Sequence, residues 1–90
     1  MKIITVCGMG FGTSLMVKMT IDDILAEWNK NADVEALDLG SVKGVAADLF
    51  ITSKEMDGNF PEVDAPVIYL DNMTSKKEIK EKIEHFINQI

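Results

Sequence analysis

A single cysteine and a run of glycines hold the clearest chemistry in this chain. Cys7-Gly8-Met9-Gly10-Phe11-Gly12-Thr13-Ser14 opens on the only cysteine and packs three glycines into five residues. The preceding run, Ile3-Ile4-Thr5-Val6, is β-branched throughout and suits a buried strand, whereas the residues from Ser14 onward have helical periodicity. Cys7 therefore belongs at a strand-to-helix junction. The first N–H groups of a helix have no intrahelical partner and the dipole there favours negative charge, so loop and helix amides can converge on phosphate oxygens. Glycine permits the tight path that turns them inward. The same surroundings stabilise thiolate over thiol, so the Cys7 thiol is expected to titrate below a free cysteine and to be nucleophilic near neutral pH. The stretch reads as an anion cradle with a nucleophile at its base.

Elements elsewhere must position that loop. Strands are expected at 2–6, ending at Cys7, and at 34–39, 48–52 and 66–70. A helix over 13–29 puts Val17, Ile21, Ile24, Leu25 and Trp28 on one apolar stripe. Residues 41–47 read either as a single helical turn or as a loop, and 53–64, with Gly58, Asn59 and Pro61, as an irregular connection with room for a short helix near its start. The clearest helix comes last: Ser75 followed by Glu78 is a capping-box pattern, and Ile79, Ile83, Phe86, Ile87 and Ile90 repeat along one face. Strands alternating with helices predict an α/β fold, a four-stranded parallel sheet of order 2-1-3-4 with helices on both faces, Rossmann-like and akin to the low-molecular-weight phosphatases. Ligands of such sheets bind beyond the strands' carboxyl ends where the order reverses, here between strands one and three, at Cys7. Thr52-Ser53-Lys54 and Asp71-Asn72-Met73 should share that edge.

Ninety residues, 47% of them hydrophobic, predict one domain spanning 1–90 with a single core. One cysteine excludes a disulfide within the chain, and without a signal peptide or an apolar stretch of bilayer length the expected location is cytoplasmic. Fifteen acidic residues against nine lysines give a net charge of −6, the reverse of a nucleic-acid or anionic-membrane footprint, so neither partner is expected. The chain has no arginine, so any phosphate must be held by backbone amides, hydroxyls or lysine.

Three glycine loops can be compared with this one. A dinucleotide fingerprint needs G-x-G-x-x-G, and Gly8, Gly10 and Gly12 give G-x-G-x-G; Asp38, ending strand two, could mimic the ribose-binding acid, but the chain is too short for the two-halved fold. A nucleotide P-loop needs Gly-Lys-Ser/Thr, and no lysine stands there. The phosphatase loop C-x5-R matches at Cys7 and fails at Thr13, where the arginine belongs. Cysteine-dependent phosphate chemistry without that arginine suggests accepting and passing on a phosphoryl group rather than hydrolysing it.

Cys7-Gly8-Met9-Gly10-Phe11-Gly12-Thr13-Ser14-Leu15-Met16, directly after an apolar first strand, resembles the active-site loop of the enzyme IIB components of the bacterial sugar phosphotransferase system (PTS). It is most similar to the ascorbate type, with the galactitol and lactose/cellobiose types as neighbours. The resemblance implies a phosphotransferase that works without a cofactor or metal: Cys7 takes a phosphoryl group from a phosphohistidine on a IIA protein and gives it to a sugar, ascorbate foremost, entering through a membrane-embedded IIC permease. It also implies that Gly8, Met9, Gly10, Phe11, Gly12, Thr13 and Ser14 bind the phosphate, through main-chain amides and the Thr13 and Ser14 hydroxyls. The alternatives are a small cysteine phosphatase and a non-catalytic anion-binding domain.

Other residues draw plainer readings. Lys18 and Lys54 could attract phosphate but suit solvated positions. Met9, Phe11, Met56 and Met73 could ring the site as an apolar docking surface, with packing the expected account of at least two. Met16 and Met19 are expected at the core edge, Asp22, Asp23 and Glu27 on a solvated helix face, and His85 on the surface.

Overall fold

The computed structural model describes residues 1–7 and 12–88, with Cys7, Gly12 and Thr13 given by their backbone. The apolar runs form four strands, β1 (Lys2–Cys7), β2 (Asp33–Asp38), β3 (Leu49–Ser53) and β4 (Val67–Leu70). Every pairing is parallel and the order is β2-β1-β3-β4, as expected from sequence. Two α-helices follow the predicted stripes, α1 (Gly12–Glu27) and α2 (Lys76–Ile87). Boundaries shift by a residue or two, most visibly at the end of α1. There Asn29 adopts the left-handed conformation (φ 55°), Asn29 N donates to Ala26 O at 3.2 Å and Lys30 N to Leu25 O at 2.9 Å. That is a Schellman stop, with asparagine in the place glycine usually takes.

The two faces of the sheet are covered differently. Strand alternation sends Ile3, Val34, Leu49, Ile51, Ile68 and Leu70 to one face, where Val17, Ile21, Ile24 and Leu25 of α1 and Ile79, Ile83 and Ile87 of α2 complete the main core. Ile4, Val6 and Phe50 point to the other face and meet Val42, Leu39, Val45, Phe60 and Val63. Both faces are covered as expected, but both α-helices lie on the first. The second is covered by a 3-10 turn, Leu39–Ser41, and by irregular chain.

Crossover handedness explains this division. Connections of one hand that run in opposite directions along a sheet must lie on opposite faces. The β1–α1–β2 unit moves one way; the β2–β3 and β3–β4 connections move the other and so fall on the face away from α1. Those two connections are short and broken by Gly44 and Gly58, each at φ 86°, so neither builds an α-helix. The segment following β3 opens with the 3-10 turn Lys54–Met56, where the sequence left room for a short helix. Helix α2 crosses over nothing, and it settles beside α1. Glu27 links the two helices through Lys76 (2.7 Å) and Lys80 (3.4 Å), contacts too exposed to add much stability.

Two methionines depart from expectation. Met16 and Met19 are not core edge: they are 52% and 59% exposed, with Leu15 at 48% beside them. They lie off the Val17–Ile21–Ile24 stripe, and helical geometry turns them outward. Met73, by contrast, is partly buried against the main core. Among the described residues no helix is long and apolar enough to cross a membrane.

Candidate functional site

The strand ladders fix where a ligand can sit. β1 pairs with β2 as far as Cys7 opposite Asp38, and β3 pairs with β4 as far as Ser53 opposite Leu70. The central ladder, β1 with β3, ends earlier, at Thr5 opposite Ile51. The two middle strands thus part at their carboxyl ends while each stays paired to its outer neighbour. This gap is the switch point of the sheet, where open α/β proteins bind ligands.

Cys7 is the last residue of β1 and stands at that gap, and α1 begins at Gly12. Gly8, Met9, Gly10 and Phe11, assigned to the cradle from sequence, lie outside the described residues, as do the side chains of Cys7, Gly12 and Thr13. Ser14, the third residue of α1, is fully buried.

Two buried threonines hold the chain on either side of the gap. Thr5 Oγ1 donates to the main-chain carbonyl of Ser14 at 2.8 Å, tying β1 to the first turn of α1. Thr52 Oγ1 donates to the carbonyl of Val6 at 3.0 Å, reaching across the space where the β1–β3 ladder has stopped. Sequence reading placed Thr52 at this edge but gave neither threonine a partner. The signal was present, since a threonine within an apolar strand must find a partner once buried.

The neighbouring strand ends close the same edge. Ser53 Oγ accepts from Glu55 N at 3.2 Å and starts the Lys54–Met56 turn. Lys54 pairs loosely with Asp71 (3.7 Å), both largely exposed, while Lys18 is committed to Asp22 (2.7 Å), one turn along α1. Asp38, in register with Cys7, has a buried Oδ1 without a hydrogen-bond partner among the described residues. His85 is exposed on α2, edge-to-face with Phe86.

Glu78 plays a larger part than its capping pattern implied. Ser75 Oγ accepts from Glu78 N at 3.2 Å, as a helix cap should. The Glu78 carboxylate does not return the bond to Ser75; it accepts from Asp71 N (2.6 Å) and Asn72 N (2.8 Å), the first amides after β4, and pairs with Lys82 at 2.8 Å. The Lys82 hydrogen bond, then the two amides, hold this carboxyl down at about 2 against the opposing effect of burial. It pins the Asp71-Asn72-Met73 wall of the edge to α2.

A crevice of about 440 Å³ lies elsewhere, on the loop-covered face ahead of β3 and β4. Val45, Phe50, Val63 and Ala65 line it, with Glu62 and Asp64 but no cation or nucleophile. Among the described residues no group of three or more His, Cys, Asp or Glu side chains could hold a metal ion.

Comparison with known proteins gives the family. The family described as PTS system, Lactose/Cellobiose specific IIB subunit, matches residues 2–85. An ascorbate-specific PTS system EIIB component of Mycoplasma pneumoniae is 35% identical over 86 residues, covering 92% of this chain and 90% of that protein. Proteins of the same description from Shigella dysenteriae and Salmonella typhimurium are 31% and 30% identical, each over 94% of this chain and 92% of their own length. With a parallel 2-1-3-4 sheet, a strand-to-helix junction at its switch point and a match along nearly its whole length, the chain belongs to the lactose/cellobiose-specific IIB family of the sugar phosphotransferase system.

Proposed function

We propose that residues 1–90 form a single cytoplasmic phosphocarrier domain serving an ascorbate-transporting system, with Cys7 as the group that carries the phosphoryl. The observation that supports this most is the position of Cys7, the terminal residue of β1 where the β1–β3 ladder has already parted and just ahead of the start of α1. A nucleophile there lies beside the N-terminus of a helix, whose free amides and dipole favour both a thiolate and a phosphoryl group. Gly8, Met9, Gly10, Phe11, Gly12, Thr13 and Ser14 supply the cradle of main-chain amides, and the Thr13 and Ser14 hydroxyls assist. Ascorbate as the sugar follows from the described specificity of the relatives.

The transfer runs in two steps. The Cys7 thiol loses its proton and the thiolate attacks the phosphorus of phosphohistidine on a IIA protein. The S–P bond forms as the N–P bond breaks, and the departing imidazole takes up a proton. A hydroxyl of the sugar held by the IIC permease then attacks the same phosphorus. The O–P bond forms, the S–P bond breaks and the thiolate is restored as the hydroxyl proton leaves. The chain has no arginine, and Thr13 stands where a cysteine phosphatase carries one, so the loop lacks the side chain with which those enzymes stabilise the transferring phosphate, in keeping with a carrier rather than a hydrolase.

Intact-mass spectrometry after mixing with a phosphorylated ascorbate-type IIA protein tests the reading. A single added phosphoryl group on Cys7 is expected, long-lived once the donor is removed and lost promptly when membranes bearing the IIC permease and ascorbate are supplied. Rapid loss to inorganic phosphate whatever the acceptor would mark a hydrolase. Discharge with lactose or galactitol and their permeases, but not ascorbate, would reassign the sugar.

A further inference from the structure

We infer that Thr5 and Thr52 are positioning residues for phosphoryl transfer, a pair of buried hydroxyls that clamp the two ends of the Cys7 loop to the sheet. Their role rests on Cys7 being the phosphoryl acceptor. Both side chains are fully buried, and each interrupts an otherwise apolar run, Ile3-Ile4-Thr5-Val6 in β1 and Leu49-Phe50-Ile51-Thr52 in β3. Valine would fill either place with the same branched shape and no polar atom to satisfy, so a sheet that needed only packing has no use for a hydroxyl here.

What the hydroxyls bind explains them. Thr52 donates to the Val6 carbonyl (3.0 Å), which belongs to the same rigid peptide unit that leads into Cys7. Fixing that plane fixes where the Cys7 Cα leaves the strand. Thr5 donates to the Ser14 carbonyl (2.8 Å) in the first turn of α1, setting the start of that helix against β1. One clamp therefore stands just before residues 8–11 and the other just after them. They are needed because the β1–β3 ladder ends at Thr5 and Ile51, so main-chain bonding between the central strands has stopped where the loop begins. The Thr52 hydroxyl spans the gap between the two strands beyond the end of that ladder.

Transfer between phosphohistidine and a thiolate depends on amides already aimed at the phosphoryl oxygens, and small displacements of such donors are costly in rate. Losing the Thr52 hydroxyl leaves the buried Val6 carbonyl short of a partner where the ladder has stopped, losing the Thr5 hydroxyl unties the first turn of α1 from β1, and either change lets one end of the loop relax. The same relaxation weakens thiolate stabilisation at Cys7. One change is thus expected to move two independent readouts.

The test uses Thr5→Val and Thr52→Val, with Thr5→Ser and Thr52→Ser as rescues and Thr20→Val as the control. Thr20 Oγ1 also donates to a carbonyl, that of Met16 at 2.9 Å, but outside the loop. For each protein, the rate of phosphoryl uptake from phosphorylated IIA and the pH midpoint of Cys7 alkylation are measured well below the melting temperature. Each valine variant is expected to take up phosphoryl about 10-fold or more slowly and to titrate closer to the free-cysteine value of about 8.5. Serine at either site and Thr20→Val are expected to match the wild type in both. Valine variants that melt cooperatively, yet keep the wild-type midpoint and uptake rate, would show that the two hydroxyls serve packing alone. If a valine variant does not fold, the doubly substituted T5S/T52S protein decides, because it keeps both clamps and must keep both readouts; its loss of either overturns the proposal. Should the wild type itself accept no phosphoryl group, the acceptor reading fails, while the alkylation midpoints still report on the clamps.

Discussion

Cys7→Ser is expected to abolish phosphoryl uptake from phosphorylated IIA while leaving the fold intact. The thiol and the hydroxyl are similar in size, so the sheet and its helices should persist and the thermal melt should stay cooperative. Their acidities are far apart. A cysteine titrates near pH 8.5 unperturbed and lower beside a helix start, so a useful fraction is thiolate at neutral pH, whereas a serine becomes a nucleophile only when a neighbouring base takes its proton. Among the described residues near the gap, Asp38 is the one acid in register with Cys7, and no histidine stands at that edge to serve as such a base. The expected loss is on the order of 10³-fold or more, equivalent to about 4 kcal/mol of barrier. Intact-mass measurement over time reads it directly. Uptake by Cys7→Ser within 10-fold of the wild type would place the acceptor elsewhere, with His85 the first residue to examine.

The sheet was legible because its signals are local and repeated. Ile3-Ile4-Thr5-Val6 and Val67-Ile68-Tyr69-Leu70 are strand sequences in any context, and the expected 2-1-3-4 order holds even though two of the three connections form no α-helix. The cover of the second face was less legible. Residues 41–47 and 54–66 carry enough apolar side chains to shield Ile4, Val6 and Phe50, but Gly44 interrupts the first and Gly58, Pro61 and Pro66 the second, and the choice between turn and loop depends on contacts made only after folding. Phe60 shows this, since its ring packs edge-to-face on Phe50 with centroids 5.9 Å apart, a contact between residues ten apart that no local period announces.

At the site the division runs the same way. Cys7 and the glycines announce a cradle because their types and spacing are unusual in so short a stretch. Thr5 and Thr52 do not, because threonine is an ordinary strand residue and only the tertiary partners, Ser14 O and Val6 O, distinguish these two. Met16 and Met19 misled for a related reason: methionine is apolar enough to read as core, and the phase of the stripe decides its direction.

Glu78→Gln is the substitution whose effect on stability should depend most on pH. The carboxylate binds three donors at once, Asp71 N and Lys82 Nζ at Oε2 and Asn72 N at Oε1, and its side chain is only 16% exposed. Glutamine keeps the shape but has one acceptor oxygen, so its NH2 group must face an amide N–H that also donates, and the charge opposite Lys82 is lost. At neutral pH the expected cost is about 1–3 kcal/mol, or about 4–8 °C in Tm for each kcal/mol in a domain of this size. The sign of the pH dependence follows from the direction of the shift. The carboxyl titrates at about 2 in the folded chain against an ordinary 4.5, so its stabilisation is complete above the ordinary value and disappears as the pH falls through about 2. The gap in urea midpoint between wild type and variant should therefore be constant from neutrality down to about pH 5.5. It should narrow below pH 4.5 and nearly close by pH 2, where half of the folded wild type has already lost the charge and the unfolded chain has lost all of it. A gap that persists undiminished at pH 2 would mean that shape rather than charge holds this corner. Phosphoryl uptake by the folded variant near pH 7 should match the wild type, because Glu78 supports the wall after β4 and makes no bond to the Cys7 strand or to α1.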